Sequence, residues 1–165
     1  MARIFTFPNP VDEVSARLVA TGVVIMVTGV IVTGQWWILI PLVYGFVARV
    51  AAGPRFSPLG LIATRVVRPR LALAARPVAG PPKRFAQAMG VAFSTSAAIL
   101  VLVGATGVAT IALAMLLVAA ALEAFAGICL GCKIFGLLMR LGIIPSEVCA
   151  ECSDISALWA VRSPS

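Results

Sequence analysis

The four cysteines of the chain form two Cys-x-x-Cys pairs, Cys129 with Cys132 and Cys149 with Cys152, and 16 residues separate the pairs. Two intervening residues let both sulfurs of a pair face one point, and two pairs at this spacing are typical of a four-thiolate zinc site. An iron–sulfur cluster is another thiolate-bound group that fits. The chain contains no histidine, which excludes imidazole ligation of a metal and a histidine general base.

The same pairs also suit thiol–disulfide or sulfur-transfer chemistry, because a Cys-x-x-Cys in a reducing compartment is often a reactive dithiol. Gly127 and Gly131 weaken any helix around the first pair, and a new short helix is predicted to begin near Lys133. Cys129 and Cys132 would then lie at a helix N-terminus beside a lysine, and both features favour the thiolate. If the fourth apolar segment instead continues through Cys132, the helix dipole disfavours the thiolate. The sequence leaves both arrangements open.

Glu123 is the only acidic residue inside an apolar segment, and a carboxylate at membrane depth is a functional candidate. Two interpretations are equally open. Glu123 pairs with Arg84 or Lys133 as a structural ion pair, or it protonates a thiol or guides an ion. The polar cluster at residues 94–96 could line a path for a solute, although such residues more often bond back to their own helix or to a neighbour.

The elements that must position these residues are membrane helices. Hydrophobic residues make up 61% of the 165 residues and charged residues 12%, so lipid must solvate most of the chain. The predicted class is an all-α polytopic membrane protein, with a single membrane domain over residues 1–165 and a Cys-rich tail over 127–165. Four apolar segments are predicted to span the membrane as two hairpins, at about 14–33, 36–52, 85–104 and 108–126.

The chain has a net charge of +7, and most of its basic residues lie in one stretch, from the end of the second segment to the start of the third, that is punctuated by prolines. Its position between two spans favours a cytoplasmic loop that obeys the positive-inside rule over a nucleic-acid-binding patch, so no nucleic-acid partner is expected. Ser57 and Pro58 are typical of a helix start, and an interfacial helix is predicted at about 58–67. Gly80–Pro82 is predicted to break the chain before the third span. The basic residues of this stretch are Arg49, Arg55, Arg65, Arg68, Arg70, Arg76, Lys83 and Arg84.

A cytoplasmic basic loop places both termini in the cytoplasm, because one hairpin precedes the loop and another follows it. The first 13 residues lack the order of an export signal, so we expect the first apolar segment to be retained as a helix. The expected location is the bacterial inner (plasma) membrane, with both cysteine pairs on its reducing side. A permanent structural disulfide is the least favoured state there. Four short helices with few polar anchors also suit a homo-oligomer.

Four stretches of the chain resemble an uncharacterised bacterial membrane family, well represented in actinobacteria and known as a domain of unknown function. They are GPRFSP at 53–58, GPPKRFAQ at 80–87, the run from Glu123 through Lys133, and Cys149-x-x-Cys152. The resemblance covers nearly the whole chain. The family's members are encoded near thioredoxin-like and rhodanese-type sulfurtransferase proteins, so the resemblance implies thiol or sulfur chemistry. It carries no assigned cofactor or catalytic residue.

The leading functional hypothesis is a relay of electrons or sulfur between the bilayer and a thioredoxin-like or sulfurtransferase partner. Cys129 and Cys132 form the proximal pair of this relay, and Lys133 stabilises the thiolate. Cys149 and Cys152 form the distal pair.

Two rival hypotheses belong to other classes of protein. One is a non-catalytic membrane module whose four cysteines bind zinc and hold the tail against the fourth helix. The other is a small transporter for a sulfur species, with Glu123 and residues 94–96 on its path. The sequence alone does not decide whether the protein is an enzyme.

Overall fold

The computed structural model describes residues 11–71 and 76–149 of the chain. Within this part the fold is helical apart from one short pairing of two strands, and four helical segments have the length and apolar composition to cross a membrane. The predicted all-α polytopic membrane protein with four spans is therefore confirmed. The candidate spans are Glu13–Thr33, Trp36–Leu71, Gly80–Leu102 and Thr106–Ala126.

The elements follow one another with short connections. The α-helices are α1 (Glu13–Thr33), α2 (Leu39–Ala52), α3 (Pro58–Leu61), α4 (Arg68–Leu71), α5 (Gly80–Leu102), α6 (Thr106–Ala121) and α7 (Leu130–Arg140). One π-helical turn, Ile62–Val67, joins α3 to α4, and another, Leu122–Ala126, extends α6. Single 3-10 turns lie at Trp36–Ile38, Gly53–Arg55 and Ser146–Cys149. The strands β1 (Val11–Asp12) and β2 (Pro77–Val78) pair antiparallel.

A polar residue begins α1 and a glycine ends it. The carboxylate of Asp12 accepts hydrogen bonds from the backbone N–H of Ser15 at 3.3 Å and from the Ser15 hydroxyl at 2.8 Å. Gly34 has a φ of +67°, and its N–H donates to the Val30 carbonyl at 2.9 Å. This left-handed conformation favours glycine and closes the first hairpin tightly, as the sequence predicted.

The four spanning segments surround one apolar core. α5 packs against α2, α6 and α7, whereas α1 packs mainly against α6 rather than against α2. Large apolar side chains on the outside of the bundle, including Ile25, Ile99, Ile111 and Val118, are exposed and face lipid. The core consists of Val23, Val27, Val30, Leu39, Leu42, Phe46, Ala97, Ala109, Leu113, Leu116 and Ala120.

The basic stretch is more helical than the sequence predicted. Ser57 caps α3 by accepting a hydrogen bond from the Gly60 N–H at 3.3 Å, and Pro58 occupies the first helical position. The helical path then continues through a π-helical turn and α4 to Leu71, beyond the predicted helix at 58–67. The stretch is therefore a folded part of the protein that packs against α1 and α2.

α5 begins at Gly80, where the sequence predicted a break. Pro81 and Pro82 occupy its first turn, in which backbone N–H groups have no acceptor within the helix, so proline is tolerated there. The predicted break is thus a helix start. As a consequence, Lys83 lies on a helix rather than in a loop, and its side chain is buried.

Asp12 ties the basic stretch to the start of α1. Its carboxylate pairs with Arg68 of α4 and accepts a hydrogen bond from the Arg76 N–H at 3.2 Å. Partial burial raises the pKa of Asp12, but the hydrogen bonds from Arg68, Ser15 and Arg76 together outweigh that effect. The pKa of Asp12 therefore lies below its ordinary value of 3.8.

Asp12 should make the folded protein sensitive to acid. A carboxylate whose pKa falls on folding stabilises the folded state above its unfolded pKa, and this contribution is lost as the pH drops through the folded pKa. We expect the apparent Tm of the protein in detergent to fall as the pH is lowered below 3.8. It should fall less steeply in Asp12→Asn, which keeps a capping side chain without the charge. Glu147→Gln, at an exposed carboxylate, is the control, and equal behaviour of the two variants would contradict this role.

Candidate functional site

Cys129 and Cys132 are joined by a disulfide at the N-terminus of α7. Cys129 is the N-cap residue, and its Sγ accepts a hydrogen bond from the backbone N–H of Cys132 at 3.2 Å. The start of this 11-residue helix carries partial positive charge and unpaired N–H groups, which stabilise a thiolate when the disulfide opens. Of the two arrangements that the sequence left open, the structure has the new helix rather than a continuous fourth span.

A turn at Gly127 separates α7 from the fourth span. Gly127 has a φ of +67°, which favours glycine, and a side chain here would also overlap the guanidinium of Arg17 from α1. The N–H of Ile128 donates to the Leu122 carbonyl at 3.0 Å and so closes the end of the π-helical turn. This turn sets the direction of α7 and thereby the position of the cysteines.

α7 docks closely on the start of α5. A Cβ added at Gly131, between the two cysteines, would lie 2.6 Å from the Cα of Ala86, so the approach requires glycine. The buried ring of Phe135 packs on Phe85, with 5.6 Å between the ring centroids. The spacer of the Cys-x-x-Cys motif is therefore also a helix-packing contact.

An open groove of about 1170 Å³ runs along the disulfide. Both cysteines line it, together with Lys133 and Arg140 of α7. Only 9% of the surface of Cys129 is exposed, whereas Cys132 is more accessible. The groove thus reaches Cys132, the more exposed cysteine of the pair, and the exposed Lys133 adds positive charge beside it.

Glu123 forms a buried ion pair with Lys83, in which Oε1 and Nζ are 2.6 Å apart. The two side chains are 14% and 9% exposed. The sequence offered Arg84 or Lys133 as the partner, and both choices are wrong. Arg84 instead donates through Nε to the Val50 carbonyl at 3.0 Å, and Lys133 is exposed on the groove. The pair became possible because α5 begins early enough to carry Lys83 towards the end of the fourth span.

Arg49, which the sequence placed with the basic loop, is buried near the end of α2 and 4% exposed. Its Nε donates to Gln87 Oε1 at 2.7 Å, and its Nη1 donates to Ser57 Oγ at 3.0 Å. The guanidinium carbon lies 4.5 Å from the centroid of the Phe46 ring. Nη2 has no hydrogen-bond partner among the described residues, and Glu123 acts on the guanidinium electrostatically. The site thus contains a buried cation that sequence reasoning missed.

A cavity of about 230 Å³ lies beside the disulfide, among α1, α2, α5, α6 and α7. Its walls are mostly apolar, and its polar lining residues are Arg49, Gln87 and Glu123. Cys129 lines this cavity as well as the outer groove. Cys129 therefore lies between the groove and the cavity.

The second cysteine pair lies at the limit of the described chain. Cys149 is 4% exposed in the 3-10 turn Ser146–Cys149, which packs against α5, whereas Cys152 lies outside the described residues. Within 11–71 and 76–149, no three Cys, Asp or Glu side chains cluster as metal ligands. Among the described residues, Cys149 therefore does not join Cys129 and Cys132 in a metal site.

In the polar cluster at residues 94–96, Ser94 has a structural role within α5. Ser94 is fully buried, and its Oγ donates to the carbonyl of Gly90 at 2.7 Å. This is the backward hydrogen bond that serine commonly makes within a membrane helix. Ser96, by contrast, is exposed on the outside of α5.

Residues 11–140 match the model of a protein family described as a domain of unknown function, DUF4395. The chain belongs to this family, and its resemblance to an uncharacterised family is thereby confirmed. The match includes all four spans and the Cys129–Cys132 pair, and it ends before the second cysteine pair. The chain matches no curated protein and no solved structure.

Replacing Gly131 by alanine should weaken the docking of α7. The added methyl group would overlap the backbone of Ala86, and such overpacking costs about 1–3 kcal/mol. Gly136→Ala, in the same helix but with open space around it, is the matched control and should keep or raise the stability by up to about 1 kcal/mol. Thermal unfolding in detergent should show a lower apparent Tm for Gly131→Ala alone; equal Tm values would contradict the close contact.

Removing Glu123 alone should destabilise the protein more than removing the whole ion pair. Glu123→Gln leaves the Lys83 ammonium buried without a counter-ion, which costs about 3–5 kcal/mol. The double variant Lys83→Met with Glu123→Leu removes both charges and should recover most of that loss, as judged by apparent Tm. A double variant as unstable as Glu123→Gln would show that the unpaired Lys83 ammonium is not the cause of the loss.

Proposed function

We propose that this member of the DUF4395 family is a membrane thiol–disulfide relay that exchanges electrons with a thioredoxin-like dithiol protein. The observation that carries the proposal is the Cys129–Cys132 disulfide at the N-terminus of α7, open to a groove on the surface. This position supplies the two properties that a relay needs. One sulfur is within reach of a partner, and the other is stabilised as a thiolate.

The two sulfurs have different roles in the exchange. A thiolate of the partner attacks the more accessible sulfur of Cys132, and a mixed disulfide forms as the bond to Cys129 breaks. Cys129 leaves as a thiolate. Its Sγ accepts a hydrogen bond from the Cys132 N–H, and the partial positive charge at the N-terminus of α7 stabilises the negative charge on the sulfur. The second thiol of the partner then attacks the mixed disulfide and releases Cys132 as a thiolate. The partner is oxidised and the Cys129–Cys132 pair is reduced.

Charge placement supports a cytoplasmic position for this exchange. The cysteine pair lies at the end of the bundle where α1 begins and α2 ends, and Lys133, Arg140 and the basic stretch belong to the same end. By the positive-inside rule this end, with both termini, faces the cytoplasm of a bacterial cell, and the spans cross its plasma membrane. A cytoplasmic thioredoxin-like protein would then reach the groove.

The state of the site favours electron exchange over the other functions considered. A sulfurtransferase relay needs one cysteine free to carry a persulfide, and a zinc site needs its cysteines as separate thiolates. Cys129 and Cys132 are instead joined to each other, which is the oxidised state of a dithiol relay. A transporter would need the Glu123 carboxylate available to a solute, whereas this carboxylate pairs with Lys83.

Cys129→Ser should trap a mixed disulfide with the partner. The remaining thiol of Cys132 is the accessible one, and the variant lacks the thiol that would resolve the complex. We expect a covalent complex with a thioredoxin that lacks its own resolving cysteine, under a mild oxidant, on non-reducing gels. Inside-out membrane vesicles should yield it, and right-side-out vesicles should not, because the partner cannot cross the membrane.

Cys132→Ser is the matched control and should trap little, because Cys129 is nearly buried. Equal trapping by the two variants would contradict the roles assigned to the sulfurs. Trapping in right-side-out vesicles alone would reverse the proposed orientation. Bound zinc in the purified wild-type protein, with no thiol that reacts, would replace the relay with a metal site.

A further inference from the structure

We infer that the cavity beside the disulfide binds the head group of a membrane quinone, which accepts the electrons collected by the relay. The inference rests on the proposed function and names the second substrate of the same site. The first substrate, a dithiol protein, approaches Cys132 through the outer groove. The quinone approaches Cys129 through the bundle.

The cavity places an apolar molecule against the reactive sulfur. Cys129 contributes to its wall, and most of the remaining wall is apolar, with Val23, Phe93 and Leu116 among the lining side chains. Four of the five surrounding helices belong to the membrane spans, so a ligand that passes between these four enters from the lipid rather than from water. A ring with apolar faces and few polar atoms is the chemistry that such a wall accepts.

Arg49 supplies the polar contact that a quinone needs. Its Nε and Nη1 are held by Gln87 and Ser57, whereas the buried Nη2 has no partner among the described residues. An unpaired buried donor is costly, and a ring carbonyl would give it an acceptor. The guanidinium charge also stabilises the negative charge that develops on a ring oxygen during reduction. Gln87 lines the cavity too and holds this donor in place.

The transfer balances with the groups named. The Cys129 thiolate of the reduced pair adds to a ring carbon, and a carbon–sulfur bond forms. The Cys132 thiolate then attacks the Cys129 sulfur, so that the disulfide forms as the carbon–sulfur bond breaks and its electron pair passes to the ring. The dithiol loses two electrons and two protons, and the quinone gains them as it becomes a quinol. The electrons and the protons both come from the partner dithiol, which is oxidised in the exchange step.

The experiment uses the full chain in lipid nanodiscs, reduced by a thioredoxin-like protein and then freed of that protein. A benzoquinone with a short alkyl tail is added without oxygen. Quinol formation is followed by ultraviolet absorbance, and the cysteine state is followed by alkylation and mass spectrometry. We expect one quinol for each Cys129–Cys132 disulfide that re-forms. For each variant, the rate of quinone reduction is divided by the rate of dithiol exchange on the same sample.

Arg49→Met should lower this ratio by about tenfold or more, the effect of losing a hydrogen bond from a charged donor. Because Arg49 also holds Gln87 and Ser57, a second variant fills the cavity without touching that network. Ala120→Phe places a ring in the cavity and should lower the ratio as well. Ala114→Phe, on the exposed side of the same helix, is the matched control and should leave the ratio unchanged.

The outcomes separate the quinone site from the relay. A protein that exchanges thiols with the dithiol protein but forms no quinol overturns the quinone site and leaves the relay standing. A chemically reduced protein that forms quinol without any exchange supports the quinone site and overturns the relay. Equal ratios for Ala120→Phe and Ala114→Phe overturn the placement of the ring in the cavity. Binding of a long-chain fatty acid without any quinol formation assigns the cavity to a lipid and overturns the inference.

Discussion

The ion pair between Lys83 and Glu123 holds together the end of the bundle on which the cysteines lie. It joins the first turn of α5 to the π-helical turn that extends α6, and α7 is built on both of these elements. Two buried charges in a membrane helix bundle are costly unless each compensates the other. The pair therefore fixes which turn of α5 meets the end of the fourth span, and the positions of Gly127, α7 and the disulfide depend on that register.

The same end of the molecule concentrates polar groups that lipid could not solvate. Arg49 donates hydrogen bonds to Ser57, which caps α3, and to Gln87 of α5, and Asp12 is bound by Ser15 of α1, Arg68 of α4 and Arg76 beside β2. Each of these residues joins elements that are distant in the sequence. Polar contacts thus set the arrangement of this end, whereas the middle of the bundle is held by close apolar packing. A site that needs charge and an apolar cavity together fits the boundary between these regions.

The spans could be predicted because their signal is local, and local signals also gave the new helix at the first cysteine pair as one of two arrangements. Hydropathy over a window marks a span, and the glycines at 127 and 131 mark a break in the chain. The partners of Lys83 and Arg49 could not be predicted, because they depend on which helices pack together. The prolines at 81 and 82 added a second ambiguity, since proline both ends helices and occupies their first turn. A glutamine at 87 within an apolar segment was the one sequence signal for a buried polar partner of Arg49.

The packing of α1 against α6 rather than against α2 has a consequence for biogenesis. The two hairpins interleave, so the first hairpin leaves the ribosome before the surfaces that cover it have been synthesised. The faces of α1 and α2 that are buried in the finished bundle contact lipid or an insertase until α5 and α6 have been synthesised. The cysteine pair follows the last span in the chain and takes its position only after that assembly.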